Sequence, residues 1–168
     1  MSRRILVLCF TCLIVLTGCS RKQPTEPVAV DFVCEFQAQY NDLTATGTLT
    51  RRTAGTLLLQ FSKPETLAGL SAEWNGEKVT LKYGGLSYDV DPDKLPESAL
   101  GEGLITAFDA ALRGDGERQE ADGKVTVSGL SGNAQYTYVY DASTGMPLSL
   151  SIPSLPLTVT FSDTQVNE

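Results

Sequence analysis

The residue with the clearest chemistry in this sequence is a cysteine that follows a short apolar segment near the N-terminus. Cys19 ends the stretch Leu16-Thr17-Gly18-Cys19, and a cysteine thiolate is a nucleophile that can be alkylated. The preceding residues carry Arg3 and Arg4 and then an apolar run from 5 to 16. This order is typical of a secretory signal, and the run is too short for a comfortable transmembrane helix.

The same four residues, Leu16, Thr17, Gly18 and Cys19, resemble the lipoprotein box of bacteria. The resemblance implies that residues 1–18 are a lipoprotein signal peptide and that the mature chain begins at a Cys19 carrying two or three acyl chains, such as palmitate. Several chains anchor a protein stably at about 0.8 kcal/mol per buried methylene, whereas one chain is marginal. The expected partner is therefore a membrane, bound through Cys19, and the alternative is an ordinary secretory signal or an uncleaved anchor.

The resemblance also implies where the protein lies. A lipid-anchored protein of this type is expected on the extracytoplasmic face of the bacterial cell membrane, or on the outer membrane of an organism that has one. Residues 19–29 contain the acylated cysteine and a polar segment with two prolines, which predicts a flexible tether. Arg21 and Lys22 either add about 1 kcal/mol each on anionic lipid or belong to a plain spacer.

Composition narrows the function of the mature chain. Residues 1–18 hold two of the 13 basic residues and none of the 20 acidic ones, so residues 19–168 carry a net charge of −9. This acidic domain lacks the basic face that nucleic acid requires. The sequence has no histidine, and it has no nucleophile elbow or phosphate-binding loop. We therefore expect no enzyme activity, no cofactor and no nucleic-acid partner.

Three aspartates at alternating positions are a further candidate for chemistry. Asp89, Asp91 and Asp93 flank Pro92, and carboxylates are ligands that a hard cation such as calcium prefers. The additional ligands of an EF-hand loop are absent from the sequence. Because aspartate and proline are also common where a strand turns towards a helix, the pattern favours a turn, and we predict no metal site.

Most of the mature chain is predicted to form strands. In residues 28–40, apolar and polar side chains alternate with a period of two, which indicates a strand with one buried face. Cys34 lies in the apolar row, so a buried, unreactive thiol is expected. Asn75-Gly76 and Gly84-Gly85 are hairpin turn signals. The spacing predicts about 10–11 short strands in a domain of residues 30–163, followed by a polar tail at 164–168.

One segment breaks the strand pattern. Residues 96–113 place Leu100, Leu104, Phe108 and Leu112 on one face at helical spacing, and Gly114 is a typical helix stop. An isolated helix of this length is unstable in water and needs an apolar surface to lie on. The predicted fold class is therefore mainly β, with antiparallel strands that close or nearly close into a barrel and one inserted amphipathic helix.

Several short motifs follow one another along the chain: Phe36-Gln37, Gly47-Thr48-Leu49, Phe61-Ser62-Lys63-Pro64, Trp74-Asn75-Gly76-Glu77-Lys78-Val79 and Thr144-Gly145-Met146-Pro147. In this order they resemble the LolA/LolB-like family of outer-membrane lipoprotein carriers. The similarity spans about residues 30–161 and is strongest to small lipoproteins of Gram-positive bacteria, including germination-type lipoproteins. It implies an unclosed half β-barrel whose concave face is covered by helix and whose cavity holds acyl chains.

The family resemblance implies a non-enzymatic lipoprotein that binds a lipid, an acyl chain or a protein segment in the half-barrel. The carriers place an arginine near the end of the second strand, and Arg51 or Arg52 lies near that position, where it would contact the helical lid. Trp74 is either a wall of the cavity or part of the core. The candidate cavity and lid residues are Leu59, Phe61, Trp74, Leu81, Leu104 and Phe108.

A second function stays open at this point. The chain is alternatively a structural or regulatory partner protein of an envelope or spore-germination assembly. Its barrel would then be filled by its own side chains and would hold no small ligand. An edge strand or an exposed face would serve as the interface with the envelope protein.

Overall fold

The computed structural model of the protein describes residues 28–91, 94, 100–131 and 133–167. These residues form eleven strands and one α-helix, which confirms the mainly β fold class. The elements are β1 (Phe32–Tyr40), β2 (Leu43–Arg51), β3 (Leu57–Lys63), β4 (Ser71–Trp74), β5 (Val79–Tyr83), β6 (Leu86–Val90), α1 (Leu100–Arg113), β7 (Glu117–Ala121), β8 (Lys124–Ser131), β9 (Ala134–Asp141), β10 (Pro147–Ile152) and β11 (Leu157–Val166).

All eleven strands belong to one antiparallel sheet. Their order is β6-β5-β4-β3-β2-β1-β11-β10-β9-β8-β7, so the first and last strands are neighbours at the centre. The two edges are β6 and β7, which are not paired with each other, and the barrel is unclosed. Helix α1 follows one edge strand in the chain and precedes the other. It lies across the concave face, against β3 on one arm and β8, β9 and β10 on the other.

Alternation along the strands produces the core. In β1, the side chains of Phe32, Cys34 and Phe36 are at most 2% exposed, while Glu35 and Gln37 face solvent. Successive side chains in a strand point to opposite faces of a sheet, so this period of two puts the apolar row on the concave side. Burial, together with the charge of Glu35, raises the pKa of the Cys34 thiol to about 12.

Helix α1 ends where the sequence predicts. Gly114 adopts a φ of +81°, a left-handed backbone conformation that is sterically unfavourable for residues with a Cβ atom but not for glycine. The amide of Asp115 then donates to the carbonyl of Ala110 at 2.9 Å, which satisfies one of the last helical carbonyls. The predicted helix start at 96 falls outside the described residues. No helix in the described part of the chain is long and apolar enough to span a membrane.

The last strand is longer than the sequence suggests. Strand β11 continues to Val166, past the predicted domain boundary at 163 and into the predicted polar tail. Val166 is paired with Phe32, and Asn167 donates from Nδ2 to the Arg51 carbonyl at 3.2 Å. Backbone pairing with β1 extends this strand, because Phe32 and Val33, which precede the register shift in β1, offer partners to a segment with little apolar character of its own.

Candidate functional site

The concave face divides into a part covered by α1 and a part that is not covered. Four of the six candidate lining residues are at most 8% exposed, and the other two are half-buried where the cover ends. The described residues therefore do not form one continuous empty cavity along all six positions. The buried four are Leu59, Trp74, Leu104 and Phe108, and the half-buried two are Phe61 and Leu81.

Phe108 of helix α1 fills the centre of the covered part. Its ring centroid lies 5.7 Å from that of Phe32, 5.2 Å from that of Tyr138 and 5.8 Å from that of Phe161. Edge-to-face and tilted arrangements at these distances are favourable for aromatic pairs. Three strands on different parts of the sheet thus hold one helical side chain, and the interior beneath α1 is occupied by the protein itself.

Arg51 is the buried charge of this interior. Its side chain is 2% exposed, it forms an ion pair with Asp109 of α1, and its guanidinium carbon lies 5.1 Å from the Phe108 ring centroid. The other Asp109 oxygen accepts from the Gly55 amide at 3.0 Å. Burial lowers the pKa of the Arg51 guanidinium, while the charge of Asp109 opposes that shift. Arg52, the other candidate, is exposed.

A second arginine holds the helix from the opposite arm. Arg118 of β7 donates to the carbonyl of Ala111 near the end of α1 and, at 3.3 Å, to the hydroxyl of Tyr140. Cations near a helix C-terminus interact favourably with its unpaired carbonyls. Asp109 and Arg118 were not among the site residues predicted from the sequence. Two patterns mark them: Asp109 adjoins the apolar helix face, and Arg118 stands opposite Val127 in the inward row.

The uncovered part of the concave face lies at the sheet edge formed by β5 and β6. Leu81 is paired with Tyr88, and Tyr83 is paired with Leu86, so all four share the face that carries the core. Tyr83, Leu86 and Tyr88 are 54%, 78% and 71% exposed. We call Phe61, Leu81, Tyr83, Leu86 and Tyr88 the β5–β6 surface. Phe61 connects this surface to the core through an edge-to-face contact with Phe36, at 5.6 Å between centroids.

The convex side of the same two strands is polar. The Lys78 ammonium forms an ion pair with one carboxylate oxygen of Asp89, and the other oxygen accepts from the Thr80 hydroxyl at 2.7 Å. The Lys82 ammonium lies 3.2 Å from the Glu73 carboxylate. The hydrogen bond from Lys78, followed by that from Thr80, lowers the pKa of Asp89. The two faces of the β5–β6 hairpin thus differ sharply, with ion pairs outside and large apolar side chains inside.

The aspartates considered for a cation do not converge in the described residues. Asp89 is engaged by Lys78 and Thr80, the Asp91 carboxylate lies 3.9 Å from the Lys94 ammonium, and Asp93 is outside the described residues. Within the described ranges, no three cysteine or acidic side chains are grouped closely enough to hold a metal ion. The lipoprotein box residues Leu16, Thr17, Gly18 and Cys19 also lie outside these ranges, so lipidation of Cys19 stays a prediction from the sequence.

A shallow groove of about 370 Å³ lies at the strand ends beside the β2–β3 turn. Arg52 and Glu73 contribute charges to its wall, and Trp74 reaches it from the inner side of the sheet. Thr50, Thr53 and Thr56, together with Leu57 and Leu58, make most of the remaining lining, so the groove is mixed in character. Trp74 is 8% exposed and its indole lies directly against Gly101 of α1, so it belongs mainly to the packing beneath the helix.

Comparisons with known proteins bear on the fold. No family model matches the chain, and no curated protein sequence matches it. Among solved structures, an uncharacterized conserved protein from Thermus thermophilus is 9% identical, with a TM-score of 0.51 over 83% of this chain and 80% of that chain. A LolA superfamily protein from Nitrosomonas europaea is 10% identical, with a TM-score of 0.44 over 86% of this chain and 90% of that chain.

LprF from Mycobacterium bovis is a third structural neighbour, 13% identical, with a TM-score of 0.36 over 82% of this chain and 89% of that chain. Identities this low concern the path of the backbone and carry no information on ligands. The chain therefore shares its overall fold with the Thermus protein, and its function has to be argued from its own residues.

Proposed function

We propose that this chain is a non-enzymatic, extracytoplasmic lipoprotein that binds the acyl chain of a membrane lipid on the β5–β6 surface. One observation carries the proposal: three large apolar side chains, Tyr83, Leu86 and Tyr88, are more than half exposed on the concave face. They continue the row that elsewhere in the sheet forms the core. An apolar patch of this kind, bordered by polar residues, is typical of a binding site.

The chemistry of the surface fits a flexible hydrocarbon chain. Burying apolar area contributes roughly 25 cal/mol per Å², so a ligand that covers these side chains gains affinity without any directional contact. Tyrosine presents an apolar ring and a hydroxyl that stays in water, which suits the border between an acyl chain and solvent. The half-buried Phe61 and Leu81 extend the surface inward to the edge of the cover formed by α1.

The predicted anchor supplies the location. With Cys19 acylated, residues 19–29 would tether the domain within about 40 Å of the bilayer, at roughly 3.5 Å per extended residue. The net charge of −9 on the mature chain would keep the domain body from lying flat on anionic lipid. A tethered, acidic domain with one apolar surface would meet lipid molecules repeatedly without being embedded among them.

Photo-crosslinking tests this proposal. The full-length protein is reconstituted in phosphatidylcholine vesicles that contain a trace of phosphatidylcholine with a diazirine in one acyl chain. Proteolysis at lysine and arginine releases residues 83–94 as one peptide, which contains Tyr83, Leu86 and Tyr88. We expect lipid attached to this peptide. Labelling confined to the peptides next to Cys19 would exclude the proposed site.

Matched variants sharpen the test. Tyr83→Asp places a charge in the β5–β6 surface, where an acyl chain would have to desolvate it, and should reduce the labelled fraction several-fold. Leu130→Asp is the control, because Leu130 is 68% exposed but faces the convex side of β8, as its pairing with Gln135 shows. Equal loss of labelling in both variants would argue against a specific site.

The second candidate function is that of a structural or regulatory partner in an envelope assembly. The interior beneath α1 favours it, because Phe108, Leu104 and Trp74 are packed there at no more than 8% exposure. Such a protein would give no lipid attachment to residues 83–94. It would instead be recovered with an envelope protein after crosslinking in intact cells, and recovery would depend on an exposed face of the sheet.

A further inference from the structure

The two edges of the sheet are built differently. Edge strand β7 has the sequence ERQEA, whose charged side chains include Glu117, Arg118 and Glu120. Natural sheets use charges at their edges to prevent pairing with other strands. Edge strand β6 has the sequence LSYDV, with Leu86 and Tyr88 among its exposed residues and a single charge at Asp89. Only β7 therefore carries the protection that an exposed edge requires.

We propose that a second copy of this chain pairs with β6 in an antiparallel, two-fold symmetric contact centred on Tyr88. The proposal concerns assembly and does not depend on lipid binding. In this register Tyr88 faces Tyr88 of the second copy, Leu86 faces Val90, and Ser87 faces Asp89. All five residues of β6 are paired, and the row of large apolar side chains continues across the two-fold axis.

The charges of β6 select this register. Residues directly opposite each other in an antiparallel pair have side chains on the same face of the sheet. With a two-fold axis perpendicular to the sheet, the two β6 strands can therefore slide past each other only in steps of two residues. A shift in one direction places Asp89 opposite Asp89, and like charges directly opposite are destabilising. A shift in the other direction leaves Asp89 and Val90 without partners in β6. The register centred on Tyr88 instead puts the Ser87 hydroxyl where it can donate to the Asp89 carboxylate.

The convex ion pairs are compatible with this arrangement. Each Asp89 keeps its ion pair with Lys78 and its hydrogen bond from Thr80, and it faces Ser87 rather than the Asp89 of the second copy. The perpendicular two-fold axis also puts both concave faces on one side, and the β5–β6 surfaces of the two copies merge. A contact based on one five-residue strand buries less than the roughly 800 Å² per partner of a standard interface. The dimer should therefore be weak and reversible.

Disulfide trapping in membranes of cells that produce the full-length protein tests the contact. In Tyr88→Cys, two facing residues have Cα atoms about 4.5–5.5 Å apart, which is within disulfide range. The matched control is Tyr83→Cys, the same residue type on the same face but one strand inward. Across the axis its two copies lie about 20 Å apart, because they are separated by three strand spacings across the sheet and by about four residues along the strands. Native Cys34 is 2% exposed, so it should not contribute.

We expect copper-phenanthroline oxidation to give at least about tenfold more disulfide-linked dimer in Tyr88→Cys than in Tyr83→Cys. Equal yields would indicate random collision and overturn the proposal, as would the absence of a Tyr88→Cys dimer. A disulfide that forms predominantly between Tyr88→Cys and a different protein would show that β6 contacts another partner, and it would also overturn the proposal.

Mixed chains test the register separately. When Leu86→Cys and Val90→Cys chains are produced together, they should form a crosslinked pair, whereas each chain alone should not. A Leu86→Cys with Tyr88→Cys pair, or a Tyr88→Cys with Val90→Cys pair, forming in preference would show one of the shifted registers and overturn the contact centred on Tyr88. Leu86 and Tyr88 are mostly exposed in the single chain, so their replacement leaves the packing of the core intact, and Val90→Cys changes one side chain at the margin of the core.

Discussion

Arg51 of β2 and Asp109 of α1 form an ion pair inside the half-barrel, 58 residues apart in sequence, with only 2% of the arginine side chain exposed. The pair fixes the helix to one arm of the sheet, while Arg118 fixes it to the other through the Ala111 carbonyl. Burying a charge costs free energy unless the charge is paired, so the folded state is destabilised when either partner is removed or displaced.

Removing the carboxylate should therefore destabilise the fold strongly. In Asp109→Ala, the Arg51 guanidinium stays buried without its counter-ion, and breaking such a pair typically costs about 3–5 kcal/mol. The free energy of unfolding in urea measures the effect. Glu102→Ala is the control, because Glu102 is an exposed acid on the same helix and its loss should be nearly neutral. A loss below about 1 kcal/mol in Asp109→Ala would contradict the role of the pair.

Replacing both partners distinguishes the charge from the packing. The double variant Arg51→Met with Asp109→Leu leaves no unpaired charge and keeps apolar volume in the same place. It should recover much of the stability that Asp109→Ala loses, since apolar replacements of buried ion pairs are often neutral or stabilising. Urea unfolding of the single and double variants under the same conditions gives the comparison.

The two glycines of α1 should respond differently to alanine. A Cβ on Gly101 would lie 2.6 Å from Trp74 Cε2, and closer still to two other indole carbons, whereas a Cβ on Gly103 would meet only the mobile Cδ1 of Ile152. Alanine gains about 1 kcal/mol of helix propensity, but overpacking a rigid ring costs about 1–3 kcal/mol. Gly101→Ala should therefore destabilise, and Gly103→Ala should be close to neutral. Urea unfolding followed by Trp74 fluorescence measures both, and equal effects would contradict the close approach of α1 to the indole.

Asp141 should contribute to the loss of folding stability at low pH. One of its oxygens accepts from the amides of Ser143 and Thr144, both at 2.9 Å, and from both hydroxyls. The hydrogen bond from the Ser143 hydroxyl is the largest cause that lowers the pKa of Asp141 from 3.8 to about 2. Because the folded-state pKa is depressed, the stabilisation is present above about pH 4 and is lost as the pH falls towards about 2.

The Asp141→Asn variant tests this. It should have a lower Tm than the native protein at neutral pH, and the difference should shrink between about pH 4 and about pH 2. Asp42→Asn, at an exposed turn position between β1 and β2, is the control for loss of one surface charge. A Tm difference for Asp141→Asn that does not depend on pH would mean that its charge does not support the turn.

Cys34 should be unreactive until the protein unfolds. Its thiol is 2% exposed and has a pKa of about 12, so little thiolate exists at pH 8 and reagents have no access to it. Ellman's reagent should titrate this thiol readily in urea and only slowly in buffer. Rapid reaction in buffer would show that β1 opens from the sheet far more often than its central position suggests.

The anchor prediction is tested by cell fractionation. Cys19→Ala removes the thiol that acylation requires, so the protein should leave the membrane fraction or be mislocalised. Cys12→Ala is the matched control, since Cys12 lies within the apolar run of the expected signal peptide and should not affect retention. Unchanged membrane retention of Cys19→Ala would falsify lipidation at this residue.

Local sequence patterns determined much of this fold. Alternation in β1 predicted a buried face that the structure confirms, and Asn75-Gly76 and Gly84-Gly85 marked real turns. Helical spacing and Gly114 predicted α1 and its end. These features were readable because turn conformation, strand alternation and helix termination depend on residues close together in the chain.

Only the tertiary structure decided which apolar residues are covered. Tyr136, Tyr138 and Tyr140 alternate in β9 as Leu86 and Tyr88 do in β6, yet the former are 1% exposed and the latter more than 70%. Periodicity shows that a strand has an apolar face, but α1 covers β3 on one arm and β8, β9 and β10 on the other, and it leaves the β5–β6 edge open. The Arg51–Asp109 pair, the two sheet edges and this open surface arise from contacts between distant residues, which no local pattern encodes.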